Sequence, residues 1–144
     1  MINLNYNIFV KACCLSDKQI KIIVTKLSKK LKIKNLEVEI NIVSDYTIKK
    51  LNYNYRGINK KTDVLAFAWQ EDKKLKSNFL GQIYISYPQI VRQARLYKLS
   101  ISEELTRMIV HGLLHLLGYD HQTEKQTKRM FAIQEKIIKY EIKK

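Results

Sequence analysis

The chain has few of the residues that break, cross-link or anchor structure. Its 144 residues include two Cys, one Pro, four Gly and one Trp. Cys13 and Cys14 are adjacent, which suits neither a bridge between them nor a metal-ligand pair, so a disulfide scaffold is excluded. Their expected role is packing in a reduced, cytoplasmic chain. No apolar run approaches the roughly 20 residues that cross a bilayer, because Lys or another polar residue interrupts each one. The N-terminal MINLNYNIFVK has no basic leader before an apolar block, so neither a membrane span nor a secretory signal is expected. Acidic residues are scarce as well: 13 Asp and Glu face 27 Lys and Arg, leaving a net charge of +14 and a pI near 9.8. That excess favours a polyanionic partner, nucleic acid first and an anionic membrane surface second, although a compositional bias toward Lys explains part of it. His is scarce too, with three in the chain, and all lie between His111 and His121.

With 46% apolar residues the chain can fill one core at this size. Nothing resembling a linker or repeat divides it, so a single domain over residues 1–144 is expected. Ile2, Leu4, Tyr6 and Ile8 alternate with Asn and predict a half-buried strand. Ser16 and Gln19 form a capping-box signal ahead of Ile20, Ile23, Val24, Leu27 and Leu31, which recur at helical spacing. Leu36 to Ile42 alternates again. A short helix beginning after Ser44 or Asp45 is expected to reach about Tyr55, with Gly57 as its stop. Asp63–Trp69 and Gly81–Ser86 read as neighbouring antiparallel strands around the polar EDKKLKS. Pro88 opens a helix to about Leu99, Ser100 and Glu103 make a second capping box for a helix to about Leu117, and a last helix spans about Thr123 to Ile142. Early strands and late helices predict an α+β fold: a small mixed four-stranded sheet packed with about five helices.

The segment HGLLHLLGYDH carries the chemistry. On a helix, His111 and His115 are separated by about 40° and one turn, so both imidazoles reach one point. His121 would be about 9 Å further along and turned about 120° away if the helix continued. Gly118 is placed to end the helix and return His121 to the pair. From Met108 onward the helix is apolar almost all round and is expected to be buried, where three imidazoles without partners would be costly. One shared metal ion satisfies all three. Imidazole suits zinc, ahead of cobalt, nickel or copper, and three protein ligands leave a coordination position for water, as in catalytic sites. One Zn2+ per chain is expected, on the C-terminal helix and the turn after it. Asp120 either orients an imidazole and exchanges protons with water, or stabilises the turn. The spacing is shared with metzincin peptidases, but Gly112 stands where those enzymes carry a general-base Glu, so a peptidase is the weaker reading. A Gly in mid-helix costs about 1 kcal/mol relative to Ala, and close approach of substrate or a neighbouring backbone would justify it.

HGLLHLLGYDH resembles the signature of the YbeY family of bacterial endoribonucleases. The likeness extends through LNYNYRGINKKTDVLAF, LGQIYIS, the Glu103-Glu104-Leu105 helix start and the closing helix with Met130. It covers most of the chain beyond about Leu51. The resemblance implies zinc on His111, His115 and His121, and an active-site cleft containing Arg56, with Arg56 and His111 as the catalytic pair. It further implies cleavage of single-stranded RNA in ribosomal RNA maturation at the small-subunit 3' end, association with the ribosome, and ribosome quality control. An Arg can clamp a phosphate with two hydrogen bonds. Lys60 and Lys61 are candidate RNA backbone contacts, and Thr62 and Asp63 candidate cleft-wall residues. Tyr53, Tyr55 and Trp69 are candidates for base stacking, with core packing favoured. Departures from the family pattern are Gln82 in place of Asp, and Ala66 and Ala68 in place of Ser and Pro. A non-catalytic, RNA-binding assembly factor with a fold-stabilising zinc is the alternative reading.

Overall fold

A computed structural model describes residues 2–11, 13–69, 79–119 and 122–142. The element order is β1 (Ile2–Ile8), α1 (Asp17–Lys30), β2 (Leu36–Val43), α2 (Asp45–Arg56), β3 (Val64–Ala68), β4 (Phe79–Ser86), α3 (Tyr87–Tyr97), α4 (Ile101–Leu116) and α5 (Glu124–Ile142). The strands form one mixed sheet in the order β1-β2-β4-β3, parallel except for the antiparallel β3–β4 pair. The α+β class, the four strands and the five helices are those expected. The polar EDKKLKS stretch lies outside the described residues.

The period-two patterns decide what each face of the sheet meets. Val38, Ile40, Ile42, Ile83 and Ile85, all buried, enter one core with residues of α1, α3, α4 and α5, including Ile20, Ile90, Ile109 and Leu113. Among the described residues the opposite face is covered where α2 lies, by a smaller cluster of Val43, Ile48 and Leu65 with Leu51, Phe67 and Tyr84 against it. Elsewhere that face is polar. Gln82 Nε2 donates to Glu39 Oε2 at 2.6 Å and Asn7 Nδ2 to Asn41 Oδ1 at 3.0 Å. Gln82 therefore serves the polar ladder on the face away from α4, which is why the chain tolerates an amide there.

Helix starts follow local chemistry. Ser16 and Gln19 form the reciprocal capping box, and Thr123 and Gln126 form one at α5. At α4 only half of the expected box exists. Ser100 Oγ accepts from Glu103 N at 3.1 Å, while the Glu103 carboxylate instead receives Arg107 Nη2 at 3.4 Å. A cationic partner one turn away attracts a carboxylate more strongly than a backbone amide does. Asp45 at the start of α2 ties two helices together, receiving Arg92 through both terminal nitrogens at 2.9 Å and Ser86 Oγ at 2.8 Å. The Arg92 hydrogen bonds hold its carboxyl below the usual range.

Expected packing of both thiols is met only in part. Cys13 is half-buried against the core, whereas Cys14 is exposed. Hydrogen bonds, first from Cys14 and then from Tyr6, bring the Cys13 thiol down to about 6.

Candidate active site

Two devices bring the candidate residues into one cleft. The first is the end of α2. Gly57 adopts φ +70° and stops the helix directly after Arg56, as the sequence predicts. The loop that follows is anchored by Asn52, 2% exposed, whose Nδ2 donates to the Lys60 carbonyl at 3.0 Å. The second is the end of α4. Gly118 N–H bonds the His115 carbonyl at 3.1 Å and Tyr119 N–H the Leu114 carbonyl at 3.0 Å. With Gly118 at φ +97°, this is the double hydrogen-bond closure that reverses a chain after a helix. The predicted turn is thus present. His121 and Asp120 lie outside the described residues.

A cleft of about 390 Å3 is lined by Arg56, Thr62, residues 63–67, His111, Gly112 and His115. Five consecutive residues, Asp63 to Phe67, face it, which alternating side chains cannot do from one surface of a sheet. The open edge of β3, the terminal strand of the sheet order, therefore forms the wall and presents main-chain N–H and C=O groups to it. Asp63 Oδ1 accepts from Val64 N at 2.7 Å and so fixes the start of that strand. Opposite stands α4 with the histidines. Arg56, Thr62 and Asp63 join the His pair as expected. Lys60 and Lys61 are exposed and are not among the lining residues; Lys61 Nζ lies 3.8 Å from Asp45 Oδ2 instead.

Several expectations are corrected here. The C-terminal half of α4 is not buried all round. His111 is half-buried and His115 exposed, because the imidazole-bearing side of the helix faces the cleft while Ile109, Val110, Leu113 and Leu114 enter the core. Gly112 lines the cleft, and the close approach at this position is to a neighbouring side chain rather than to backbone. A Cβ there would meet the Ile83 side chain at 3.1 and 3.2 Å, so the missing side chain lets α4 settle on β4. Tyr53, Tyr55 and Trp69 are exposed at 57%, 69% and 59%, not packed in the core. Tyr55 leans on Phe67 with centroids 5.1 Å apart, and Trp69 stacks on Phe79 at 5.5 Å.

One site residue was not singled out from the sequence. Gln134 of α5 is 5% exposed, and its Oε1 lies 3.1 Å from His111 Nδ1. An amide oxygen can only accept, so Nδ1 carries the proton and Nε2 is the acceptor atom of the ring. A carbonyl oxygen on the second ring nitrogen is the usual support of a metal-ligating histidine. The signal was present in α5, where Met130, Gln134, Ile137 and Ile138 form its buried stripe and the lone amide is out of place. Among the described residues no group of three His, Cys, Asp or Glu converges to hold a metal.

The chain matches the family described as endoribonuclease YbeY over residues 11–141. The chain belongs to that family. It is 40% identical over 126 residues to the endoribonuclease YbeY of Persephonella marina, covering 86% of this chain and 82% of that one. The Malacoplasma penetrans member is 39% identical over 137 residues, covering 92% and 91%. The solution structure of a Thermotoga maritima protein superposes with a TM-score of 0.66 at 31% identity, over 94% of this chain and 86% of that one. The YbeY match spans both cleft-forming segments, the loop after α2 and the end of α4.

Proposed function

We propose that this chain is a metal-dependent endoribonuclease that cuts single-stranded RNA, acting in ribosomal RNA maturation at the small-subunit 3' end and in ribosome quality control. The observation that carries the reading is the pair of imidazoles on one turn of α4 facing Arg56 across a cleft, with His111 oriented by a buried amide. The donor set fits zinc: two neutral imidazoles at i and i+4, one supported through Nδ1, with His121 following the Gly118 turn as third ligand. Zinc held there would polarise a phosphoryl oxygen and lower the pKa of bound water to about 7.

The chain's own residues do the rest. Arg56 grips the non-bridging oxygens of the scissile phosphate and stabilises charge that develops on them. Gln134 keeps the proton on His111 Nδ1, so that Nε2 is presented as an acceptor. The open edge of β3 offers N–H and C=O groups that pair with the ribose hydroxyls and base edges of an unpaired strand. The +14 charge raises the local concentration of RNA and makes its association salt-dependent.

Incubating the purified protein with single-stranded RNA, with and without a chelator and alongside Arg56→Ala, tests the reading. Cleavage is expected to stop with chelator and to fall about 100- to 1,000-fold in the variant. RNA cut equally well in all three samples would overturn it. Gln134→Leu fills the same buried space without an acceptor and is expected to weaken zinc binding about 10- to 100-fold. A competition titration against a chromophoric chelator reads this directly, and unchanged affinity would remove Gln134 from the site.

A further inference from the structure

Next to the cleft, further toward the start of α4, lies a second cavity of about 370 Å3. The two share Asp63 on their walls. Glu104, Met108, His111 and His115 recur at spacings of four, three and four, so the face of α4 that carries the imidazoles also lines this cavity, about 10 Å along the axis. Its apolar lining includes Met108 and two rings, Tyr97 of α3 and Phe131 of α5, exposed at 60% and 59%. Its floor is polar. Arg107 Nε and Nη2 reach Glu135 at 2.9 and 3.2 Å. Glu104 is only 2% exposed, yet among the described residues its carboxylate receives two long hydrogen bonds, from Gln93 Nε2 and Arg107 Nη1, each at 3.5 Å.

A buried carboxylate offers about four acceptor sites, and leaving them poorly filled is costly. The cavity is therefore built for a ligand that brings N–H donors. Asp63, Glu104 and Glu135 outnumber Arg107 there, which disfavours a phosphate. Two exposed rings on the lining suit a flat heterocycle. An unpaired base beside the scissile phosphate meets all three conditions. Among the four bases, guanine presents ring N1–H and exocyclic N2–H2 side by side, a match for one carboxylate, and its O6 suits a guanidinium.

We propose that this cavity is a nucleobase subsite of the RNA cleft, selective for guanine, with Glu104 taking the donor edge and Tyr97 and Phe131 enclosing the ring. This rests on the endoribonuclease reading for its place in the reaction, but not for the binding itself. Two measurements separate the claims. In titrations followed by 1H-15N spectra, guanosine monophosphate is expected to shift residues 104–108 and Tyr97 saturably, and at lower concentration than the adenosine, cytidine or uridine monophosphates. Phe131→Ala, at an exposed position, and the isosteric Glu104→Gln should each weaken that binding about tenfold, with melting temperature checking their fold. Binding without guanine preference, or undiminished in both variants, overturns the subsite. In the second measurement a randomised single-stranded RNA pool is expected to be cut with guanine enriched at one fixed position beside the break. Cleavage without positional preference overturns the subsite and leaves the enzyme reading standing. If no RNA is cut, the enzyme reading falls and the titration alone decides whether the cavity is a guanine site.

Discussion

Replacing His115 by alanine is expected to lower RNA cleavage at least about a thousandfold while leaving the fold intact. The activity loss follows from the loss of a metal ligand: a bound cation supplies several kcal/mol of transition-state stabilisation, and about 4 kcal/mol corresponds to three orders of magnitude in rate. The fold is spared because the imidazole is exposed at the cleft, outside the core that Ile109, Val110, Leu113 and Leu114 build from the same helix. Exposed substitutions of this kind change stability by about 0.5 kcal/mol or less. The paired measurement is thermal unfolding with and without zinc. The unsubstituted protein should gain stability as metal is added, by about 4 kcal/mol at a thousand times the dissociation constant, and the variant should gain far less. A His115→Ala protein that binds RNA and cuts it at the original rate would reassign zinc to a structural role, or remove it altogether. Unfolding of the unsubstituted protein when metal is stripped would favour the assembly-factor reading.

Gly81→Ala is expected to cause the largest loss of stability from adding one methyl group. Gly81 sits in β4 at φ +146°, where a side chain is strained. A Cβ there would lie 2.1 Å from the Phe67 carbonyl oxygen and 3.1 Å from the Ala68 Cα. Both obstacles are backbone of the paired strand, so no rotamer change relieves the clash and β3 must move. A cost of about 4 kcal/mol or more is expected, in the exceptional range for a point substitution. Set against a total stability of about 5–15 kcal/mol, it is a large share. Urea unfolding measures it, with Gly57→Ala as the control. Gly57 also has positive φ, but a Cβ there meets nothing within 4 Å, so only the left-handed backbone penalty of about 1–2 kcal/mol applies. Displacing β3 also moves the strand edge that lines the cleft, so residual folded Gly81→Ala protein should cleave RNA poorly. Equal midpoints for the two variants would refute the account.

The elements and their ends were legible because they obey local rules. Alternation gave β1 and β2, Ser16 and Ser44 gave the helix starts, and Gly57 and Gly118 gave the stops. Each depends on residues within one or two turns of the chain. The i, i+4 spacing of His111 and His115 was legible for the same reason, since helix geometry fixes it without any tertiary contact. Where local and long-range forces compete, the local reading failed. Glu103 pairs with Arg107 rather than closing its cap, and the apolar stretch after Met108, whose pattern predicts burial, opens one side onto the cleft.

What only tertiary structure decided is what lies across from what. Sequence spacing cannot tell that β4 enters between β2 and β3, since strand order is set by which apolar faces cover one another. Yet that order makes β3 an edge and thereby a cleft wall. Nor could spacing pair His111 with Gln134, 23 residues away, or show that Gly112 answers to the Ile83 side chain. The sequence by itself determined the chemistry available here, two imidazoles on one helical turn and an Arg ahead of a Gly stop. The tertiary structure decided that they face each other, because burial of the sheet's apolar face against α4 draws both segments to the same edge.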